Sequence, residues 1–275
     1  MISRRGWLGS AAAAVAASSM LRADPLGMPI GVQTWIVRDA IQKDFAGTLH
    51  ILAQSGFQAI EMCSPPGYGW TSLASMSASQ MRRTIDAAGL DCKSSHYQFR
   101  ELKQNADERI AFAKELGLTQ MVVSTFALPN TATMADWLSA AAELNTIGEK
   151  TRKAGIQLGF HNHDFEFREI DGALIYDKLM GALDRDLVKM QFQVGVISLG
   201  YKAETFMRKY PGRFLSMHLA DYSPAEKKQV PLGKGVVNWP EVFSAAKMGG
   251  VKNYFVEMDL ELMQASMPYL HSLKA

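Results

Sequence analysis

From Pro29 onward, short apolar runs alternate with longer helix-patterned segments, and a glycine repeatedly separates helix from strand. The strand candidates are residues 30–35, 58–62, 91–96, 120–124, 157–161, 188–193, 214–219 and 253–258. Helix-patterned segments at 40–55, 77–88, 106–116 and 134–154 run into Gly56, Gly89, Gly117 and Gly155, where a glycine just past the last turn ends a helix. Such alternation requires parallel strands joined by right-handed helical crossovers. Eight units in roughly 250 residues predict a closed α/β barrel, the (β/α)8 TIM barrel, rather than an open doubly wound sheet. No G-x-G-x-x-G turn follows the first strand, which argues against dinucleotide binding. There is no internal repeat and no low-complexity linker, so residues 24–275 are expected to form a single domain.

Residues 1–23 read differently. Arg4 and Arg5 precede Trp7-Leu8 and an alanine-rich run, with Leu21-Arg22-Ala23 as a cleavage zone. The order resembles a twin-arginine export signal. The apolar run is too short and too weakly apolar to span a bilayer. The expectation is an exported protein, periplasmic or extracellular, with no membrane span in the mature chain. Of the 275 residues, 48% are hydrophobic and 20% charged, and the net charge is only +2. No basic run follows the first residues, so no nucleic-acid partner is expected. Cys63 and Cys92 fall in or beside strand candidates and are either reduced, buried thiols or, in an exported protein, a disulfide.

Catalytic groups of such barrels gather at the carboxyl ends of the strands. Those ends carry Gln33 and Trp35, Glu61, His96, His161-Asn162-His163 with Glu166 behind, Gln193, His218 followed by Asp221, and Glu257 with Asp259. Four of the six histidines stand at these positions; His50 and His271 lie on predicted helices. Imidazoles and carboxylates from separate strands can surround a divalent cation. Strand alternation puts His161 and His163 on one side, and Glu257 with Asp259. The metal candidates are therefore one or both of His161 and His163, with His218 and Glu257, and Gln193 as a weak fourth ligand. The alternative is a hydrogen-bonded polar pocket without metal. Glu257, Glu61 and His163 are the acid–base candidates. Trp35, His96, Glu166 and Asp259 are candidates for substrate contact, and Tyr68, Trp70, Tyr97 and Phe126 either form an apolar platform for a sugar face or pack in the core.

Several segments, in order, resemble the sugar phosphate isomerase/epimerase family with the xylose isomerase-like barrel. His161-Asn162-His163-Asp164-Phe165-Glu166-Phe167 is similar to its H-N-H-D-F-E-F signature. Lys209-Tyr210-Pro211-Gly212-Arg213-Phe214 with His218 and Asp221 is similar to its K-Y-P-G-R-F…H-x-K-D segment. Leu232 to Trp239 resembles its glycine turn, and Tyr254-Phe255-Val256-Glu257-Met258-Asp259 its last strand. The resemblance implies a divalent metal, Mn²⁺ or Zn²⁺, a small-molecule sugar substrate, and proton transfer beside a carbonyl through an enediolate. It also implies a ligand set of a carboxylate or His from strand five, an Asp from strand six, a His from strand seven and a Glu from strand eight. Here strand six departs: the Asp is Gln193. A neutral amide replaces an anion, which weakens the metal site and leaves it rich in nitrogen.

Three functions follow from that set. The first is a metal-dependent isomerase or epimerase acting on an unphosphorylated sugar. The second is a lyase or hydratase acting on keto-sugars or 3-keto glycosides. The third is a sugar-binding protein without turnover. Whether the chain forms an oligomer stays open at this level.

Overall fold

The structure is a computed structural model that describes residues 25–273; the export segment expected at residues 1–23 lies outside them. Eight parallel strands close into a barrel: β1 (Ile30–Gln33), β2 (Ala59–Cys63), β3 (Asp91–Tyr97), β4 (Gln120–Val123), β5 (Gln157–His161), β6 (Val188–Gln193), β7 (Phe214–Leu219) and β8 (Asn253–Val256). Neighbours follow chain order, and β1 closes the ring by pairing with β8, with Gly31 opposite Phe255. A Cβ on Gly31 would lie 2.7 Å from the Tyr254 carbonyl and 2.5 Å from the Phe255 ring, so only glycine lets the seam close.

Alternation along each strand decides what the barrel contains. In β6, Met190 and Phe192 are buried and alternate with Gln191 and Gln193, whose side chains bond to groups of other strands inside the barrel. The lumen near the carboxyl ends is thus polar, holding Gln33, Glu61, Ser94, His96, Gln191, Ser216 and His218, all buried. Most of the apolar packing lies outside it, where Phe167, Tyr176, Phe192 and Phe206 meet ring to ring beneath the helices. Both cysteines are free and buried, as thiols.

Boundaries shift where side chains intervene. The expected helix 40–55 is two, Arg38–Lys43 and Phe45–Gln54, because the Asp44 carboxylate takes the Gly47 N–H and starts a new helix. Strand β1 stops at Gln33, whose amide oxygen accepts the Trp35 N–H and turns the chain into a short 3-10 helix. Strand β8 stops at Val256, two residues short of the expected end. The helix after β3 begins at Phe99, seven residues before the expected start. Two small antiparallel hairpins, Glu169–Ile170 with Ala173–Leu174 and Asp221–Ser223 with Lys228–Val230, stand on the loops after β5 and β7. Among the described residues, no helix is long and apolar enough to cross a membrane.

Candidate active site

Glu61 anchors the floor. It has no solvent exposure, and its carboxylate receives five donors from four other strands. Oε1 accepts from Ser94 Oγ at 2.6 Å and Gln191 Nε2 at 2.8 Å. Oε2 accepts from Gln33 Nε2 at 2.6 Å and His218 Nε2 at 2.6 Å, with His96 Nε2 at 3.2 Å. Burial pushes the Glu61 pKa up, but the neighbouring imidazoles and hydrogen bonds outweigh it and hold it below the usual range. With its lone pairs so occupied, Glu61 is a fixed anion that orients imidazoles. That geometry leaves neither oxygen open for the acid–base role expected of Glu61 and gives it a positioning role instead.

Gln191 completes the floor and escaped the sequence reading. Its amide N–H groups go to Glu61 and Ser216, the latter at 2.8 Å, so its oxygen must accept from His96 Nε2 at 2.6 Å. His96 therefore carries its proton on Nε2, and burial holds it neutral by lowering its pKa.

Above the floor, His218 links the two carboxylates. Nε2 donates to Glu61 and Nδ1 to Glu257 Oε2 at 2.9 Å. Burial alone would lower its pKa; Glu257 and Glu61 override that and raise it to about 10. Burial likewise pushes Glu257 upward, but His218 holds it down at about 2. The pair is ionic while no metal is bound.

Gln193 sits at the carboxyl end of β6, as expected, and its orientation is defined. Its oxygen accepts the Gly195 N–H at 3.1 Å, so its Nε2 points at Glu257 Oε2, 2.6 Å away. It thus serves Glu257 as a donor, and in this orientation its oxygen is not free to bind a metal.

His161 is the most distinctive member. It is 1% exposed, and neither ring nitrogen has a hydrogen-bond partner. Its ring centroid lies 4.4 Å from that of His218, 4.8 Å from His163 and 5.1 Å from His96. Burial, then the neighbouring imidazoles, drive its pKa well below the usual value, so it is a neutral donor. Single ligand atoms of His96, His161 and His218 all lie within 4.8 Å of one another, a spacing that can hold a metal ion. His163, half-buried, keeps Nδ1 unpartnered, and burial lowers its pKa too.

The remaining candidates disperse. Glu166 is fully buried behind His163 and accepts its backbone N–H at 2.7 Å. Its other oxygen is unpartnered, and burial raises its pKa to about 7. Its place is the support of the β5 loop rather than contact with substrate. Asp259 does not share a face with Glu257, because the strand has already ended; it is exposed just before the last helix, Leu260–Ser272. Trp35 stays exposed at the rim, whereas Trp70, Tyr97 and Phe126 are buried in the core. Asp221 is buried and accepts from the backbone of Tyr222, Gly233, Gly235 and Val237 and from Trp239 Nε1, which fastens the glycine turn to β7.

A family model for xylose isomerase-like TIM barrels matches residues 49–270. The chain belongs to the xylose isomerase-like TIM barrel family. Its barrel is similar to a sugar phosphate isomerase/epimerase from Parabacteroides distasonis, with TM-score 0.75 and 24% identity over 89% of this chain and 94% of that one. It is similar to a Mycobacterium smegmatis protein of the same barrel type crystallised with magnesium, with TM-score 0.65 and 17% identity over 90% and 97%. It is also similar to a D-psicose 3-epimerase solved in the presence of D-fructose, with TM-score 0.62 and 15% identity over 84% of each chain. At these identities the likeness is one of fold. No curated protein matches by sequence.

Proposed function

We propose that this protein is a sugar isomerase or epimerase that holds one divalent ion and moves a proton at a carbon beside a carbonyl. The observation that carries the reading is His161, a buried neutral imidazole with two unpartnered nitrogens beside His218, which is itself bonded to Glu257. A buried polar group without a partner is costly, and a ligand repays that cost. His161, His218 and Glu257 would hold the ion, with His96 completing the histidine group. His218 would exchange one ring proton for it, so binding releases a proton. A nitrogen-rich set favours Zn²⁺ over Mg²⁺, with Mn²⁺ between the two in ligand preference. When bound, the ion would supply a Lewis acid for adjacent substrate oxygens.

The chain's own groups would do the rest. Neutral His163, with Nδ1 free, would take the proton from one carbon and, as an imidazolium, return it to its neighbour, while ionised Glu257 stays a ligand. Glu61 and Gln191 keep His218 and His96 in place. An export signal at residues 1–23 goes with an unphosphorylated substrate. The test is exchange of a substrate C–H for deuterium in D₂O, with Mn²⁺ or Zn²⁺ supplied, over free aldoses and ketoses. Exchange that disappears in His163→Ala and Glu257→Gln upholds the reading; no exchange with any sugar sinks it. Gln193 supports a second reading, sugar binding without turnover, which would show sugar affinity and no exchange.

A further inference from the structure

Seven large hydrophobic side chains are exposed among the described residues, and four of them follow barrel strands. Trp35 comes after β1, Phe165 after β5, Leu199 after β6, and Val236 on the loop after β7; the other three lie on outer helices. The two aromatic members follow β1 and β5, which stand opposite each other in a ring of eight. His163, Gln193 and Glu257 form a polar floor at the carboxyl ends of β5, β6 and β8, each partly open to solvent.

Both rings are held in place. The Trp35 N–H bonds to Gln33 Oε1 at 3.1 Å, its ring packs 5.5 Å from that of Tyr68, and the Arg38 guanidinium sits 4.5 Å from its centroid. Tyr68 is tied in turn to Ser124 at 2.7 Å. Phe165 lies 5.8 Å from the His163 ring, on the turn that Glu166 locks. Trp35 is nevertheless 38% exposed and Phe165 45%. Fixed, exposed aromatics give contact area at little entropic cost.

An apolar rim over a charged floor selects its occupant. A protein surface pressed on this mouth would bury Glu257 away from water, which is costly unless the partner brings its own donors. A free monosaccharide satisfies the floor and leaves both rings wet. An amphiphile satisfies both. We infer that the substrate is a glycoside whose sugar ring carries the carbonyl: that ring lies over His163, Gln193 and Glu257, and an apolar, aromatic-sized aglycone rests against Trp35 or Phe165. This rests on the reading of the floor as a sugar site and adds the class of molecule.

The experiment is calorimetric titration of the whole protein with paired methyl and phenyl β-glycosides of glucose, galactose and xylose. At least one phenyl glycoside should bind about tenfold more tightly than its methyl partner, the scale of one aromatic contact plus its buried area. Trp35→Ala or Phe165→Ala should bring that ratio close to one, with the unfolding midpoint kept because both side chains are exposed. Equal affinities, no binding, or a ratio that survives in both variants overturns the inference. So does self-association of the wild type that Trp35→Ala abolishes, which would make the rim an interface. The two readings fail separately. Exchange on free sugars without a phenyl preference removes only the glycoside; a phenyl preference without exchange on any sugar removes only the proton-transfer chemistry.

Discussion

At the scale of single residues, the site turns on one amide. Gln193 donates to Glu257 where a carboxylate would repel it. Gln193→Asp should therefore destabilise the metal-free protein and tighten the metal by about tenfold or more, since a charge a few ångströms from a divalent ion outweighs an amide dipole. Competition with a chromogenic chelator measures the second effect and thermal unfolding the first; an unchanged affinity would remove the ion from this part of the mouth. Glu166 gives a pH signature. Its folded pKa, raised to about 7 from 4.5, means that burial costs nothing below pH 4.5 and increasingly more as pH rises to about 7. The melting temperature of Glu166→Gln, relative to wild type, should shift in the variant's favour across that window and stay level above it.

At the scale of elements, Asp221 shows what a buried carboxylate can organise. Five N–H groups from Tyr222 to Trp239 converge on it. Asp221→Ala should cost about 3 kcal/mol or more through the donors it strands. Hydrogen exchange should accelerate across 231–239 and leave β7 protected. The eight strands were legible because each is a short apolar run between helix-ending glycines, and their carboxyl ends led to His161, His218 and Glu257. Other features were not legible. Gln191 escaped because, beside Gln193 at the strand end, it reads as a mid-strand polar residue. Only the β6–β7 register and the approach of β2 and β3 across the lumen give it Glu61, His96 and Ser216 as partners. The Asp259 pairing failed because strand alternation was carried past Val256, where the chain bends.

At the scale of the molecule, stability and site share the same groups. Glu61, on β2, is bonded from β1, β3, β6 and β7 at once, so it ties five of the eight strands together. Glu61→Ala would leave the buried His218 imidazolium one counter-charge short, at a cost of about 3–5 kcal/mol. Urea unfolding should show that loss, and Glu61→Gln should recover part of it. The metal-free protein has a matching pH profile. The raised pKa of His218 contributes fully below pH 6.5 and fades as pH climbs through about 10. The depressed pKa of Glu257 contributes above pH 4.5 and fades as pH falls through about 2. Stability should thus be greatest between about pH 4.5 and 6.5 by this pair, and a melting curve that instead rises from pH 7 to 10 would contradict the ionic link.

The seam between β1 and β8 has a consequence for how the chain comes to exist. The first strand made waits for the last one, and more than two hundred residues separate Gly31 from Phe255. A nascent chain that has reached β7 is a curled ribbon with two bare margins, each offering unbonded amides to any passing strand. Chaperones that shelter such margins would matter most in the interval before β8, Asn253–Val256, emerges, and a stop codon in that interval should yield insoluble protein rather than a weakened barrel.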